Sequence, residues 1–222
     1  MPNPETPAIR ARPTAITWLG LFIALFGMLI VRQAVKYAWP EPTVLPAVIR
    51  EAGMWLVGLV LILIIKVGEG LPLSSIGLTA THLFRSILWG LLLTVICFAA
   101  AALYVAITHF TGGKNADALN KLPIWLVTMT VVRAGVIEEL CYRGYAIERL
   151  QSLGLPRGAA ATIPVLIFGF GHWTGGWGNI GLALLLGAIL TLFYLWRRDL
   201  LSNMIGHTLV DFIPNVLPRL FR

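Results

Sequence analysis

The sequence has few charged residues. Of its 222 residues, 12% are Asp, Glu, Lys or Arg and 58% are hydrophobic, with a mean hydropathy of +0.82. A soluble domain carries roughly 25% charged residues, so this composition excludes an ordinary soluble domain and indicates an integral membrane protein. At about 20 residues per span, the length predicts an all-α, polytopic membrane helix bundle. We expect a single domain over residues 1–222 with about seven transmembrane helices, within a range of six to eight.

Cysteine is scarce as well. Cys97 and Cys141 are the two cysteines, and their spacing is not that of a metal site. Internal repeats and low-complexity tracts are absent, and the chain has no room for a sizeable soluble domain beside the helices. The net charge is +7, but the basic residues lie mostly between apolar runs, where they act as topology signals and contact anionic headgroups. We therefore expect the lipid bilayer as a partner and no binding of nucleic acid.

Seven apolar runs are separated by polar segments that contain glycine or proline. They lie at about residues 15–31, 46–65, 84–107, 122–145, 159–173, 180–196 and 200–212. The first run is long and lacks a small-residue cleavage site, so we expect it to remain as a span. If seven spans cross the membrane, nine lysines and arginines lie on the side of the membrane that holds the N-terminus, and seven lie on the opposite side. This difference predicts a multi-pass protein with a cytoplasmic N-terminus, in the plasma membrane or, in a bacterium, the inner membrane.

The fourth run carries two adjacent acids, Glu138 and Glu139. A charged side chain at a helix centre costs at least about 2.5–3.5 kcal/mol in a membrane, so such residues are usually functional. Glu139 and Arg143 are four residues apart with the acid first, which favours an ion pair. Glu138 points about 100° away from that pair. We predict a structural role for Glu139 with Arg143 and a chemical role for Glu138, while Arg133 either pairs with a carboxylate or reaches an interface.

Two later runs carry histidines at helical spacing. Phe168 and His172 are one turn apart, and His207 and Asp211 share one helix face. A lone histidine in an apolar helix is more often a core residue. Two histidines in separate runs, together with the acid pair, favour a site. A carboxylate and two imidazoles that face one bundle interior can hold a water molecule and polarise a peptide carbonyl.

The order and spacing of these motifs resemble those of the CPBP intramembrane proteases. This family is also called the CAAX-protease and bacteriocin-processing, or Abi, family, and it includes the type II CAAX prenyl endopeptidases. The motifs here are Glu-Glu-x-x-x-Arg at 138–143, Phe-x-x-x-His at 168–172 and His-x-x-x-Asp at 207–211. The resemblance covers about residues 122–214, the motif-bearing core. Asp211 stands where the eukaryotic prenyl endopeptidases have Asn.

The resemblance implies an intramembrane endopeptidase that acts on membrane-embedded or membrane-anchored peptides. Glu138 would be the general base that activates water, and His172 would help to position or deprotonate that water. His207 and Asp211 would stabilise the oxyanion or hold the water from the other side. The ion pair beside Glu138 would fix the helix that carries it.

The resemblance leaves the cofactor open, because members of the family have been described both as metalloproteases and as metal-independent glutamate proteases. Glu138, His172 and His207 would make a Glu-His-His zinc site with an open position for water. The sequence has no His-Glu-x-x-His helix of the common zinc-protease type. We favour water activation without a metal and keep zinc as the alternative.

Two other functions fit the same residues. One is a non-proteolytic membrane scaffold or bacteriocin-immunity protein of the same fold. The other is a small proton- or metal-coupled transporter in which Glu138 and the histidines relay protons or bind an ion. A transporter would more readily show paired repeats or matching broken helices, and the sequence shows neither.

Overall fold

The computed structural model describes residues 14–41, 43–110, 112, 119 and 121–221. Within these ranges the regular secondary structure is entirely helical, which confirms the predicted all-α fold class. Most of the predicted loop at 111–121 lies outside the described residues. Seven main helices correspond to the seven predicted runs: α1 (Ala15–Ala38), α2 (Val44–Leu63), α3 (Leu83–Thr108), α4 (beginning with Ile124–Arg133), α5 (Arg157–Phe170), α6 (Trp177–Arg197) and α7 (Leu200–Asn215).

Helix α4 is longer than the sequence predicts and is not a regular α-helix. After Ile124–Arg133 it continues through two π-helical segments, Ala134–Glu138 and Leu140–Ile147, and ends with the α-helical turn Glu148–Ser152. The predicted end near residue 145 is therefore wrong, because the charged residues beyond it are paired inside the bundle rather than exposed at a helix end. π-Helical turns occur often at functional sites. Glu139 lies at the junction of the two π-helical segments.

Among the described residues, four helices are long and apolar enough to cross a membrane: α1, α2 with its π-helical extension (Val44–Gly68), α3 and α6. Helix α5 is apolar but shorter. Together these helices make the chain an integral membrane protein. The seven-span count and the cytoplasmic N-terminus stay predictions, and Arg10 and Arg12, which support the orientation, lie outside the described residues.

Helix α4 is the centre of the bundle. Almost every side chain between Val131 and Leu150 is buried, because α1, α2, α5 and α7 all contact this helix. Helix α3 lies farther out, against α6 and α7, and exposes apolar side chains such as Phe84 and Val95. The charges of α4 are thereby separated from the surface that would face lipid.

Glycines allow close contact between α7 and its neighbours. A Cβ atom on Gly135 of α4 would lie 2.0 Å from Thr208 Oγ1 and 2.6 Å from the Thr208 backbone nitrogen. A Cβ on Gly206 of α7 would lie 2.9 Å from the side chain of Leu93 on α3. Small residues at helix crossings are the usual means of close approach in membranes. These contacts bring the acid pair of α4 next to His207.

The connector between α2 and α3 is attached to the far end of α4. It contains the 3₁₀ turn Leu73–Ile76, which packs against α4. Glu69 pairs with Arg149 of α4 at 2.8 Å, and both side chains are buried. Glu148 of α4 pairs with Arg198, which also donates to the carbonyl of Ser75. The end of α4 is thus fixed independently of the acid pair at its middle.

Candidate active site

The predicted site residues share one cavity. The cavity has a volume of about 880 Å³ and is lined by residues from all seven main helices. Glu138, His172, His207 and Asp211 all line it. The fold therefore brings together three motifs that the sequence places in three separate helical segments.

Glu139 is a buried hub beside the cavity. Its Oε1 accepts hydrogen bonds from Arg143 Nη1 at 2.8 Å and from His207 Nδ1 at 2.7 Å. Its Oε2 accepts from Asn203 Nδ2 at 3.1 Å. The geometry confirms the predicted ion pair between Glu139 and Arg143. A fully buried carboxylate is stable only when its oxygens are satisfied in this way, so Glu139 is engaged in holding α4 and α7 together.

Arg143 extends this network to the other side of the bundle. Its Nε donates to Thr191 Oγ1 at 3.3 Å and its Nη2 to the Gly187 carbonyl at 3.1 Å, both on α6. The guanidinium carbon lies 4.6 Å from the centroid of the Phe168 ring on α5. Arg143 therefore connects α4, α5 and α6, and the ion pair fixes more than the helix on which it lies.

Both cavity histidines are anchored through the same ring nitrogen. His207 Nδ1 is bonded to the carboxylate of Glu139, and His172 Nδ1 lies 2.8 Å from the carbonyl oxygen of Phe168. Each of these partners can only accept, so Nδ1 must carry the proton in both rings. Nε2 is then the nitrogen left for chemistry. His207 Nε2 lies 3.7 Å from Asp211 Oδ2, too far for a direct hydrogen bond.

His172 lies in a turn and not in a helix. The sequence predicts a helical run to about residue 173, but α5 ends at Phe170 and a 3₁₀ turn, Trp173–Gly175, follows. The segment contains several glycines, and Gly176 has a φ of 83°, which ends the helical path. The carbonyl of His172 accepts from Asn179 Nδ2 at 3.1 Å, so the turn is held against α6.

The Phe168 ring contacts both imidazoles. Its centroid is 4.7 Å from that of His172 and 6.2 Å from that of His207. Tyr142 contacts the same ring edge to face at 5.5 Å. Tilted and edge-to-face contacts of this kind are favourable. The phenylalanine of the second motif thus packs against both histidines of the site.

Glu138 has a charged partner that the helix period did not indicate. It points away from Arg143 as predicted, but Arg133 Nη1 donates to its Oε1 at 2.5 Å. Arg133 therefore pairs with carboxylates, which is one of the two roles expected for it. Its Nε donates to Glu51 Oε2 on α2 at 3.0 Å. No described residue forms a hydrogen bond with the other oxygen of Glu138, Oε2.

Two residues around the site were not among the predicted site residues. Asn203 bonds Glu139 and the carbonyl of Leu190, and its position four residues before His207 could have identified it. Glu51 is fully buried in α2. A carboxylate within a long apolar run was the available signal for it.

The described residues do not form a ready zinc site. Among them, no group of three His, Cys, Asp or Glu side chains lies close enough together to hold a metal ion. The predicted set of Glu138, His172 and His207 would have only Nε2 of each imidazole to offer, because each Nδ1 donates elsewhere. We therefore derive no step through a metal.

The fold and the site define a class: a polytopic helical membrane protein with a buried carboxylate and two imidazoles at one cavity. Residues 120–213 match the family described as type II CAAX prenyl endopeptidase Rce1-like. The matched residues contain all three motifs and confirm the resemblance to the CAAX proteases. No curated protein and no solved structure matches the chain. The family match supports an intramembrane endopeptidase of the CAAX type in general.

Proposed function

We propose that this protein hydrolyses peptide bonds of membrane-embedded or membrane-anchored peptides through a water molecule activated by Glu138. The observation that carries the proposal is the arrangement of Glu138 at the cavity. One oxygen is held by Arg133, and Oε2 has no partner among the described residues, while the anchored imidazoles of His172 and His207 line the same cavity. A fixed carboxylate with a free lone pair is what a general base requires.

The reaction begins when Glu138 takes a proton from water as the water oxygen bonds to the peptide carbonyl carbon. Nε2 of His172 accepts a hydrogen bond from the second O–H of that water, which stays on the oxygen, and so orients the water. The carbonyl oxygen becomes an oxyanion. As an imidazolium between Glu139 and Asp211, His207 donates from Nε2 to this oxyanion, the kind of stabilisation that usually contributes most to catalysis.

The second step breaks the carbon–nitrogen bond. Glu138 returns its proton to the leaving amine nitrogen, and the carbonyl re-forms as a carboxylic acid. The electrons of the broken bond stay on the nitrogen, and one water is consumed for each bond cut. Arg133 and Arg143 do not exchange protons in this scheme but keep the two acids in place.

Glu138→Gln tests the proposal. The amide keeps the shape and an acceptor for Arg133 but cannot take a proton from water, so we expect cleavage to fall by about 10²–10⁴-fold. The full chain in detergent micelles would be incubated with a pool of quenched fluorescent peptides that contain apolar segments, and products would be identified by mass spectrometry. Glu148→Gln is the matched control, because Glu148 lies on the same helix but does not line the cavity.

Each outcome assigns the protein to one class. Loss of cleavage in the Glu138 variant with intact folding supports the protease. Absence of cleavage by the wild-type chain contradicts it, and uptake of protons or metal ions into proteoliposomes would then identify a transporter. Unchanged biological activity of the Glu138 variant would favour a scaffold or immunity protein.

Removal of metal tests the cofactor. In the proposed mechanism Glu138 activates water without a metal ion, so we expect cleavage to persist after dialysis against EDTA. Loss of cleavage that added zinc restores would overturn the metal-independent mechanism and assign Glu138, His172 and His207 as ligands.

A further inference from the structure

Glu51 is a buried carboxylate for which the proposed reaction gives no role. It lies in α2, one of the described helices that are long and apolar enough to cross a membrane, and its side chain is fully buried. It does not line the cavity. Ionisable groups in such helices are rare and usually mark function. Two arginines contact it: Arg50, its neighbour on α2, and Arg133 of α4.

Arg133 is shared between two carboxylates on different helices. Its Nε donates to Glu51 Oε2 at 3.0 Å, and its Nη1 donates to Glu138 Oε1 at 2.5 Å. Its side chain is 8% exposed, so water competes little for these bonds. The guanidinium is planar and rigid, and two carboxylates on different sides of it fix its orientation. Arg133 thus connects Glu51 of α2 to Glu138, the candidate general base.

Because Arg133 binds two carboxylates, it forms a hydrogen bond with only one oxygen of Glu138. An arginine with a single carboxylate partner frequently forms two parallel hydrogen bonds with it, which occupy both carboxylate oxygens. Here Nε is occupied by Glu51, and Arg133 holds only Oε1 of Glu138. Oε2 is the oxygen that must accept the proton from water. A guanidinium that rotated onto both oxygens of Glu138 would block that lone pair.

We propose that Glu51 is a positioning residue for Glu138. It holds the Nε side of Arg133 and so fixes the guanidinium in the orientation in which Nη1 alone reaches Glu138, which keeps Oε2 of Glu138 open to water. This inference rests on the proposed function, because it assigns Glu51 a role in the reaction that Glu138 performs. It adds a residue outside the matched segment, 120–213, to the machinery.

Glu51→Gln tests the inference through kinetics. The amide keeps a neutral acceptor for Arg133, but a charge-assisted bond is roughly twice as strong, so Arg133 turns toward Glu138. We expect kcat to fall between about 10- and 100-fold, the size of effect that small misplacements produce. KM should stay within about twofold of the wild-type value. Glu51 does not line the cavity, so its substitution removes no ground-state contact with the peptide. The substrate for these measurements is the peptide from the fluorescent pool that the wild-type protein cleaves fastest.

Glu69→Gln is the matched control. The side chain of Glu69 is also buried and also pairs with an arginine, Arg149, but neither residue lines the cavity. We expect this variant to keep the wild-type kcat. If both glutamine variants lower kcat equally, the effect is a general result of losing a buried carboxylate, and the inference is wrong.

A second variant covers a folding failure of Glu51→Gln. Glu51→Asp keeps the charge but shortens the side chain by one methylene, so it reaches Arg133 Nε less well. We expect a smaller fall in kcat with KM unchanged. Wild-type kcat in this variant would count against a role in positioning.

Chemical labelling supplies a readout that needs no substrate. The apolar reagent dicyclohexylcarbodiimide adds the O–H of an accessible carboxylic acid across its C=N bond to give an O-acylisourea, and mass spectrometry locates the adduct. We expect Glu138 to react in the wild-type protein and several-fold more slowly in Glu51→Gln, because a second hydrogen bond from Arg133 both covers Glu138 and opposes its protonation. Equal rates overturn the inference. If the wild-type chain cleaves no peptide, only the proposed function fails, and the labelling rates still decide the role of Glu51.

Discussion

The two adjacent acids of α4 have different surroundings, and we expect them to differ in what they contribute. Glu139 is fully buried, and both its oxygens accept hydrogen bonds from neighbouring side chains. Glu138 is 13% exposed at the cavity, and one of its oxygens has no partner among the described residues. A single residue step along the helix therefore separates an acid that holds the bundle together from an acid that can react.

Glu139→Gln should destabilise the protein as well as inactivate it. An amide nitrogen would face at least one of the donors Arg143, His207 and Asn203, and a buried arginine would lose its counter-charge. Breaking a buried pair in this way costs about 3–5 kcal/mol. Thermal unfolding in detergent should show a clear loss of stability for Glu139→Gln and a small change for Glu138→Gln. Equal stability of the two variants would contradict the division of roles.

At the scale of helices, the site depends on how closely α4 and α7 approach. Gly135 faces Thr208 at the crossing, which lies one turn before Glu139 and one residue after His207. The hydrogen bond of 2.7 Å between Glu139 and His207 requires this short separation of the two helices. The crossing is therefore a part of the site even though it contributes no chemical group.

Gly135→Ala should separate α4 from α7. The added Cβ would lie 2.0 Å from Thr208 Oγ1, with the Thr208 backbone close behind, so rotation of one side chain cannot relieve the clash. Overpacking of this kind costs typically about 1–3 kcal/mol. Gly158→Ala is the control, because a Cβ there meets nothing within 4 Å. A thermal unfolding temperature that falls for Gly135→Ala and not for Gly158→Ala would support the close crossing.

The connector attached to α4 gives a second prediction at this scale. Arg149→Met would leave Glu69 buried with Tyr145 as its remaining hydrogen-bond donor, an unbalanced charge that costs about 3–5 kcal/mol. The double variant Glu69→Gln with Arg149→Met should recover part of this loss, because no unpaired charge remains. Equilibrium unfolding of the single and double variants measures the difference. No recovery in the double variant would show that packing, not charge, attaches the connector.

At the scale of the whole molecule, the ion pairs of the described residues lie mostly inside the bundle, and many large apolar side chains lie on its surface. The central helix α4 carries most of the buried ion pairs, whereas only 22% of the apolar window of α3 is buried. In a membrane the surrounding lipid is apolar, so burial of apolar side chains is not what drives helices together. Paired charges, hydrogen bonds and glycine crossings supply the specific contacts in this bundle.

An odd number of spans puts the two ends of the chain on opposite sides of the membrane. If seven helices cross and the N-terminus is cytoplasmic, a C-terminal alkaline phosphatase fusion should be active and an N-terminal one inactive in bacterial cells. Truncated fusions after each helix would count the spans. Activity of fusions at neither end, or at both, would require an even number of crossings.

The sequence by itself determined the membrane class, the seven helical segments and the Glu139–Arg143 pair. These features depend on composition and on neighbours within one helix, where a separation of four residues fixes which side chains meet. The order of the three motifs along the chain likewise indicated which residues to bring together. Such information is local or compositional, so it survives without knowledge of how the helices pack.

Only the tertiary structure decided how the charges are shared. Arg133 and Glu138 are five residues apart, about 140° around a regular α-helix, and they meet because the segment between them is π-helical. The bonds of Glu139 to His207 and of Arg133 to Glu51 join helices that are distant in sequence. Such contacts form only after the helices have packed to within a few ångströms of one another, and helix periodicity carries no information on that distance.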